Sequence, residues 1–195
     1  MKLIIDDMIE DNDKLLLTSN CITGFRIRLG LTSDNVVIVI NSDLSFNNLT
    51  FKEIKKSTNL YTFKEILELF KNYQKELILT ISRLEDKTNL FIDLILVEIQ
   101  KYSNLNFSFE TSDGTVYKYL KNTSYPSYLI TSDNKDKVII KRKGKNYFFN
   151  KVSSITNLYK LLNNHSNSFP LYIIIQENMK KSLLFNTSLL RLLEE

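Results

Sequence analysis

The side chains of this chain best placed to do chemistry are two arginines, Arg26 and Arg28, set two residues apart in a strand-like run. The run from Gly24 to Asp43 reads GFRIRLGLTSDNVVIVINSD. Phe25, Ile27, Leu29 and Leu31 alternate with Arg26, Arg28, Gly30 and Thr32, the period of a half-buried strand. Ser33-Asp34-Asn35 is turn chemistry, and Val36 to Ile40 is a β-branched run suited to burial on both faces. With Asp34-Asn35 as a two-residue hairpin loop, Arg28 lies opposite Asn41 and Arg26 opposite Asp43, and all four share one face. Guanidinium groups on an inward face are costly unless they meet a carboxylate or an anion. The chemistry offered is therefore recognition of a carboxylate or a phosphate, which the planar guanidinium fork fits. The acids expected within salt-bridge distance are Asp43 and at least one of Asp6 and Asp7.

Other reactive groups are scarce. The one cysteine, Cys21, excludes an internal disulfide and suits a reducing compartment, so the expected location is cytoplasmic. As a nucleophile it is far less favoured than as a small packed residue. The one histidine, His165, lies in a polar Asn-Asn-His-Ser-Asn loop and reads as a solvated residue. A chain of 195 residues is expected to form a single domain, 1–195, with a real core. Its 43% hydrophobic and 25% charged residues are ordinary for a globular protein. The net charge of +4 is mild and the lysines are scattered, apart from Lys141-Arg142-Lys143-Gly144-Lys145, so no nucleic-acid footprint is expected. No apolar run approaches the roughly 18 residues of a membrane span. The acids Asp6, Asp7, Glu10, Asp11 and Asp13 are the wrong chemistry for a signal peptide.

The elements that must position the arginines alternate in type. Lys2 to Asp6 reads as a strand, and Asp11 to Asn20 as a helix. Thr50-Phe-Lys-Glu53 and Thr62-Phe-Lys-Glu65 are capping boxes, the first opening a short turn and the second an apolar-faced helix. Glu76 to Ser82 reads as a strand, Asn89 to Tyr102 as a helix, Leu105 to Phe109 as a strand and Thr115 to Lys121 as a short helix. Tyr128 to Thr131, Val138 to Arg142 and Asn146 to Phe149 are strand-like, the last two joined by the basic Gly turn. Ile155 to Asn163 is helical, Leu171 to Gln176 a buried strand, and Met179 to Leu193 a closing helix. Seven or eight strands in this rhythm predict a mainly parallel α/β fold, a TIM-type (βα) barrel.

The order of segments resembles the glycerophosphodiester phosphodiesterase family. That family shows a G-I-E-L-D-V strand, a T-K-D-G turn, a strand ending in H-D, T-L-E-E-L and P-T-L-E-E-V-L helix starts, an I-E-I-K strand and an S-S-F strand end. This chain has Gly24-Phe-Arg-Ile-Arg-Leu29, Thr32-Ser-Asp-Asn35, Val39-Ile-Asn-Ser-Asp43, Leu49-Thr-Phe-Lys-Glu-Ile54, Tyr61-Thr-Phe-Lys-Glu-Ile-Leu67, Leu79-Thr-Ile-Ser82 and Phe107-Ser-Phe109. The match runs over most of residues 20–130. It implies a barrel, incomplete or distorted at its last strand, because nothing after Gln176 looks like the family's G-I-I-T-D strand.

The resemblance fails where the family's chemistry sits. Its Glu and Asp ligands for a divalent metal fall on Arg26 and Arg28, and its third glutamate falls on Thr80. The lysine of I-E-I-K falls on Ser82 and the histidine of H-D on Asn41. The His-Arg-Gly that ends its first strand falls on Asp6-Asp7-Met8. The degenerate site expected is thus Arg26, Arg28, Asn41, Asp43, Asp6, Asp7, Thr80 and Ser82, with no metal and no catalytic group. The resemblance implies phosphodiester hydrolysis in glycerophospholipid metabolism. The motif losses imply an inactive homologue that binds a phosphate ester or other small anion, or that serves as a structural or interaction domain, leaving open a protein partner or homo-oligomer. The competing reading is an active phosphodiesterase with relocated groups, for which Asp6, Asp7, Asp43 and Glu110 are the acids near strand ends.

Overall fold

The computed structural model describes residues 2–6, 14–40, 46, 48–164, 172–176, 179–181 and 183. In chain order the elements are β1 (Lys2–Asp6), α1 (Lys14–Thr18), β2 (Ile22–Leu31), β3 (Val37–Ile40), α2 (Phe51–Ser57), α3 (Phe63–Phe70), β4 (Glu76–Ile81), α4 (Thr88–Ile99), β5 (Asn106–Thr111), α5 (Gly114–Leu120), β6 (Ser127–Asp133), β7 (Lys137–Arg142), β8 (Lys145–Val152), α6 (Ile155–Asn164) and β9 (Tyr172–Ile175).

Eight of these strands close a ring, in the order β1-β2-β4-β5-β6-β7-β8-β9 and back to β1. All neighbours are parallel except at β7, which runs antiparallel to both β6 and β8. This is a TIM-type (βα) barrel in which a three-stranded meander, β6-β7-β8, replaces one helical crossover. The expected gap at the last strand does not occur: β9 pairs in parallel with both β8 and β1 and shuts the barrel. The distortion lies at β7 instead, and its cause is local. Lys143 (φ 48°) and Gly144 (φ 80°) form the two-residue turn with both φ positive that holds right-twisted antiparallel strands together. A link that short cannot carry a crossover, so β8 must fold straight back on β7.

Phe25, Ile27, Leu29 and Leu31 on the outer side of β2 are at most 1% exposed. They belong to the same cluster as Phe63, Ile66, Leu67 and Phe70 of α3 and Phe91, Ile92, Ile95 and Ile99 of α4. This outer layer is the main core. Both capping boxes form as read. Thr62 Oγ1 accepts from Glu65 N–H at 3.1 Å, while Thr62 N–H donates to Glu65 Oε2 at 2.7 Å. The Thr50/Glu53 pair repeats the arrangement and opens a seven-residue helix rather than a turn. A second apolar cluster fills part of the barrel interior with Ile4, Ile78, Val138, Ile140, Phe149 and Ile174.

The β2–β3 hairpin departs from the expected register. Arg28 lies opposite Ile40, not Asn41, and Leu31 opposite Val37. The loop has three residues rather than two. Thr32 and Val36 still pair, with Thr32 N–H donating to the Val36 carbonyl at 3.1 Å. Asn35 takes the left-handed conformation (φ 61°), the position that ends the common three-residue hairpin loop. One extra loop residue shifts every cross-strand partner by one, so the expected Arg26–Asp43 opposition does not follow from this register.

Candidate functional site

Alternation along β2 sends Arg26 into the barrel, because its neighbours Phe25 and Ile27 are claimed by the helix layer. Arg26 is only 4% exposed. Three strands deliver carboxylates to it. Glu110 near the end of β5 accepts from Nε, Asp6 at the end of β1 accepts from Nη1 at 3.0 Å, and Asp133 at the end of β6 accepts from Nη2 at 3.2 Å. Thr80 of β4 donates to the same Glu110 oxygen, Oε1, at 2.6 Å. Lys151 of β8 bonds the other oxygen of Asp133. Every one of these strands runs the same way, so the cluster forms at their C-terminal ends, the face on which barrels of this type place their functional residues.

The electrostatics of the cluster favour the charged forms of Arg26 and Asp133. Burial works against a charged Arg26, but Glu110, Asp6 and Asp133 outweigh it and hold the guanidinium above its already high ordinary pKa. For Asp133, burial opposes ionisation, yet Lys151 and Arg26 together hold its carboxyl below the ordinary 3.8. All three edges of the Arg26 fork are thus occupied by carboxylates of this chain. Among the described residues, no group of three His, Cys, Asp or Glu side chains is arranged to hold a metal ion.

The sequence-derived residues fall into three groups. Arg26, Asp6 and Thr80 converge in the cluster. Arg28 stands one inward position nearer the strand end, paired across the sheet with Thr80 and Ile40, and is half-buried. Ser82 is exposed, just beyond the end of β4. Asn41, Asp43 and Asp7 lie outside the described residues, as does His165. Sequence reasoning had Glu110 only as an acid near a strand end and missed Asp133 and Lys151 altogether. The signal for Asp133 is its place after Tyr128-Leu-Ile-Thr-Ser, an acid closing a strand as Asp6 closes β1. Lys151 carried no signal until the parallel pairing of β8 with β9 was known.

No protein-family profile and no curated protein sequence matches the chain. Solved structures do. A phosphodiesterase from Oleispira antarctica, determined in complex with the product sn-glycerol-3-phosphate, superposes with a TM-score of 0.56 at 10% identity, over 93% of this chain and 94% of the other. This chain has the fold of the glycerophosphodiester phosphodiesterases. The Thermotoga maritima glycerophosphodiester phosphodiesterase matches at a TM-score of 0.51 and 11% identity, over 94% of this chain and 97% of its own. A Silicibacter pomeroyi protein assigned as a glycerophosphoryl diester phosphodiesterase reaches 0.55 at 11% identity, over 67% of this chain; the match spans 64% of that protein's length. At such identities the likeness is one of fold, and the side chains at the strand ends are this chain's own.

Proposed function

We propose that this chain keeps the glycerophosphodiester phosphodiesterase fold without its hydrolytic chemistry, as a single structural or interaction domain whose barrel mouth is held by fixed ion pairs. The observation that carries this reading is the clamp on Arg26. Asp6, Glu110 and Asp133 come from three strands and all three bind one guanidinium. These are the acids a divalent ion would need, and β2 sets a permanent cation among them. A hard metal suits a cluster of free carboxylate oxygens and is repelled by a neighbouring guanidinium. The donor set therefore does not suit the metal that the family uses. The relocated-hydrolase reading would need Asp6 or Glu110 as ligand or base, and both already accept from Arg26. Cys21, a half-buried thiol 3.1 Å from Ser19 Oγ, fits a reducing, cytoplasmic setting.

The test is release of glycerol phosphate from a glycerophosphodiester by the pure protein, with and without magnesium or calcium. The expected result is no release above the buffer blank. Metal-dependent release that Asp6→Asn abolishes would promote the hydrolase reading.

A second reading is anion binding, and Arg28 is the observation in its favour. It is a half-buried guanidinium one inward position closer to the strand ends than the clamped Arg26. sn-Glycerol-3-phosphate, seen in the Oleispira relative, is the probe. On this reading Arg28→Ala weakens its binding, while a ligand that binds equally well to the variant removes Arg28 from the site.

A further inference from the structure

A TIM-type barrel covers its strands with an outer ring of helices, one for each crossover between strands. Here the ring lacks a member. The chain passes from β6 through β7 to β8 in two short turns, with no helix between them. α5 packs on β5 and β6 at one side of this meander, and α6 packs on β8 at the other. Three strands spaced about 4.8 Å apart leave a strip of sheet about 10 Å wide between those helices, the diameter of one helix. The register fixes what faces outward there. Val138, Ile140 and Phe149 are buried in the barrel interior, so alternation turns Lys137, Ile139 and Lys141 of β7 outward. Ile139 is paired with Phe148 of β8, and Lys141 with Leu129 of β6. Leu129 and Ile139 are half-buried and Phe148 is 52% exposed, and none of the three belongs to the apolar clusters of the described residues. The outward residues of β4 and β5, such as Leu79 and Phe109, are by contrast fully buried in the main core.

Charge sets this strip apart from the rest of the molecule. Residues 127–152 hold seven of the chain's 26 Lys and Arg and two of its 22 Asp and Glu, a net +5 where the whole chain carries +4. Arg142 lies on the Tyr128 ring, and Lys151 pairs with Asp133 at the Arg26 cluster. Lys135, Lys137, Lys141, Lys143 and Lys145 are exposed, and among the described residues none of them joins an ion pair. Asp136 is the one acid beside them, and α5 and α6 contain no Asp or Glu. These features narrow the choice of occupant. β7 is hydrogen-bonded along both edges, so no strand can be added to it. A second copy would bring the same positive charge to the same face. A flat bilayer does not reach a strip set between two helices.

We propose that this strip docks an amphipathic helix of a partner protein, its apolar stripe on Leu129, Ile139 and Phe148 and its acidic flanks on Lys137 and Lys141. Recognition of this kind lays the apolar face of a helix into a groove and adds charge complementarity at its edges. The six residues of β7 span about 20 Å, so about 14 residues of helix cover the strip. The surface lies on the barrel wall, away from the mouth, and stands or falls independently of the hydrolysis assay.

The test titrates the full chain into a fluorescent helix-forming peptide of about 14 residues, with leucines at i, i+3, i+4 and i+7 and glutamates on both flanks, and follows its anisotropy. One control peptide carries lysine in place of every glutamate, and another has the same composition in an order that breaks the leucine stripe. The expected result is saturable binding of the glutamate peptide, weakened by salt, and at least about tenfold weaker binding of either control, a loss of about 1.4 kcal/mol. Phe148→Ser, at an exposed position, should weaken the glutamate peptide by at least about tenfold, and Lys137→Glu combined with Lys141→Glu should turn the preference toward the lysine peptide. No saturation, a control bound as well as the glutamate peptide, or an unchanged affinity in folded Phe148→Ser protein would each overturn the proposal. So would tighter binding of single-stranded DNA or of anionic phospholipid vesicles, or a dimer of the chain that Phe148→Ser abolishes. The three-peptide comparison on the unaltered protein decides it even where a variant does not fold.

Discussion

The two ends of this barrel handle charge in opposite ways. At the C-terminal end, three carboxylates from three strands bind Arg26, which is almost fully buried, and Lys151 from a fourth strand binds one of them, Asp133. At the N-terminal end a single pair, Lys2–Glu76, sits at the rim with side chains 50% and 25% exposed, above a cavity walled by isoleucine and aromatic rings. The difference lies in desolvation. Water can replace either partner of the rim pair, so that pair contributes little. At Arg26 the Glu110 carboxylate is as buried as the guanidinium, so removing either leaves an uncompensated buried charge, while Asp6 and Asp133 at the edge of the cluster are partly reached by water. The end where barrels of this kind place their functional residues is therefore the one that carries the buried charge.

The sharpest way to break this comparison is Arg26→Ala. It strands Glu110 in the interior and should cost about 3–5 kcal/mol, read as a fall in the urea midpoint. A variant that melts like the parent would mean that the cluster is solvated and the contrast between the ends false. Asp133→Asn should cost less, since Arg26 keeps Glu110 and Asp6. It also carries a pH signature. The folded pKa of Asp133 lies below its ordinary value of 3.8, so its stabilisation is complete above that value and is lost as pH falls through the folded pKa. The stability gap between parent and variant should be flat near neutrality and close below about pH 4. A gap that widens in acid would contradict the assignment. The smallest effect is expected at the rim, where Lys2→Ala should change stability by less than about 1 kcal/mol, by thermal or chemical denaturation. A loss as large as that of Arg26→Ala would erase the distinction between the ends.

Much of the architecture was legible because it rests on local patterns. The alternation in Phe25–Leu31, the two Thr-x-x-Glu boxes and the strand-helix rhythm each commit short segments, and the fold assembles them as read. The register of β2 and β3 was not legible. It hangs on one backbone choice, the left-handed Asn35, and Asp34-Asn35 and Ser33-Asp34-Asn35 loops look alike in sequence. Nor did the rhythm distinguish a meander from a crossover at β7, although the Lys143-Gly144 turn was in view. Of the site, the arginine and the acid at the end of β1 were readable, because a charge amid inward positions demands a partner. Which acids answer it was not. Asp133 lies 107 positions away in sequence and meets Arg26 only because the barrel closes.

The proposed function turns on a guanidinium standing among three carboxylates whose oxygens would otherwise suit a divalent ion. The direct measurement is the melting temperature of the unaltered protein against magnesium and calcium up to millimolar concentration. A bound metal stabilises the folded state by mass action, so a site of submillimolar affinity would register clearly. The account expects no shift in the unaltered protein and an upward shift, or recovered folding, in Arg26→Ala, whose three carboxylates have lost their cation. An upward shift in the unaltered protein at submillimolar metal, undiminished by Asp6→Asn and Asp133→Asn, would place a metal elsewhere at the mouth. A shift abolished by those substitutions would place it among the very carboxylates assigned to Arg26, and either result would contradict the claim.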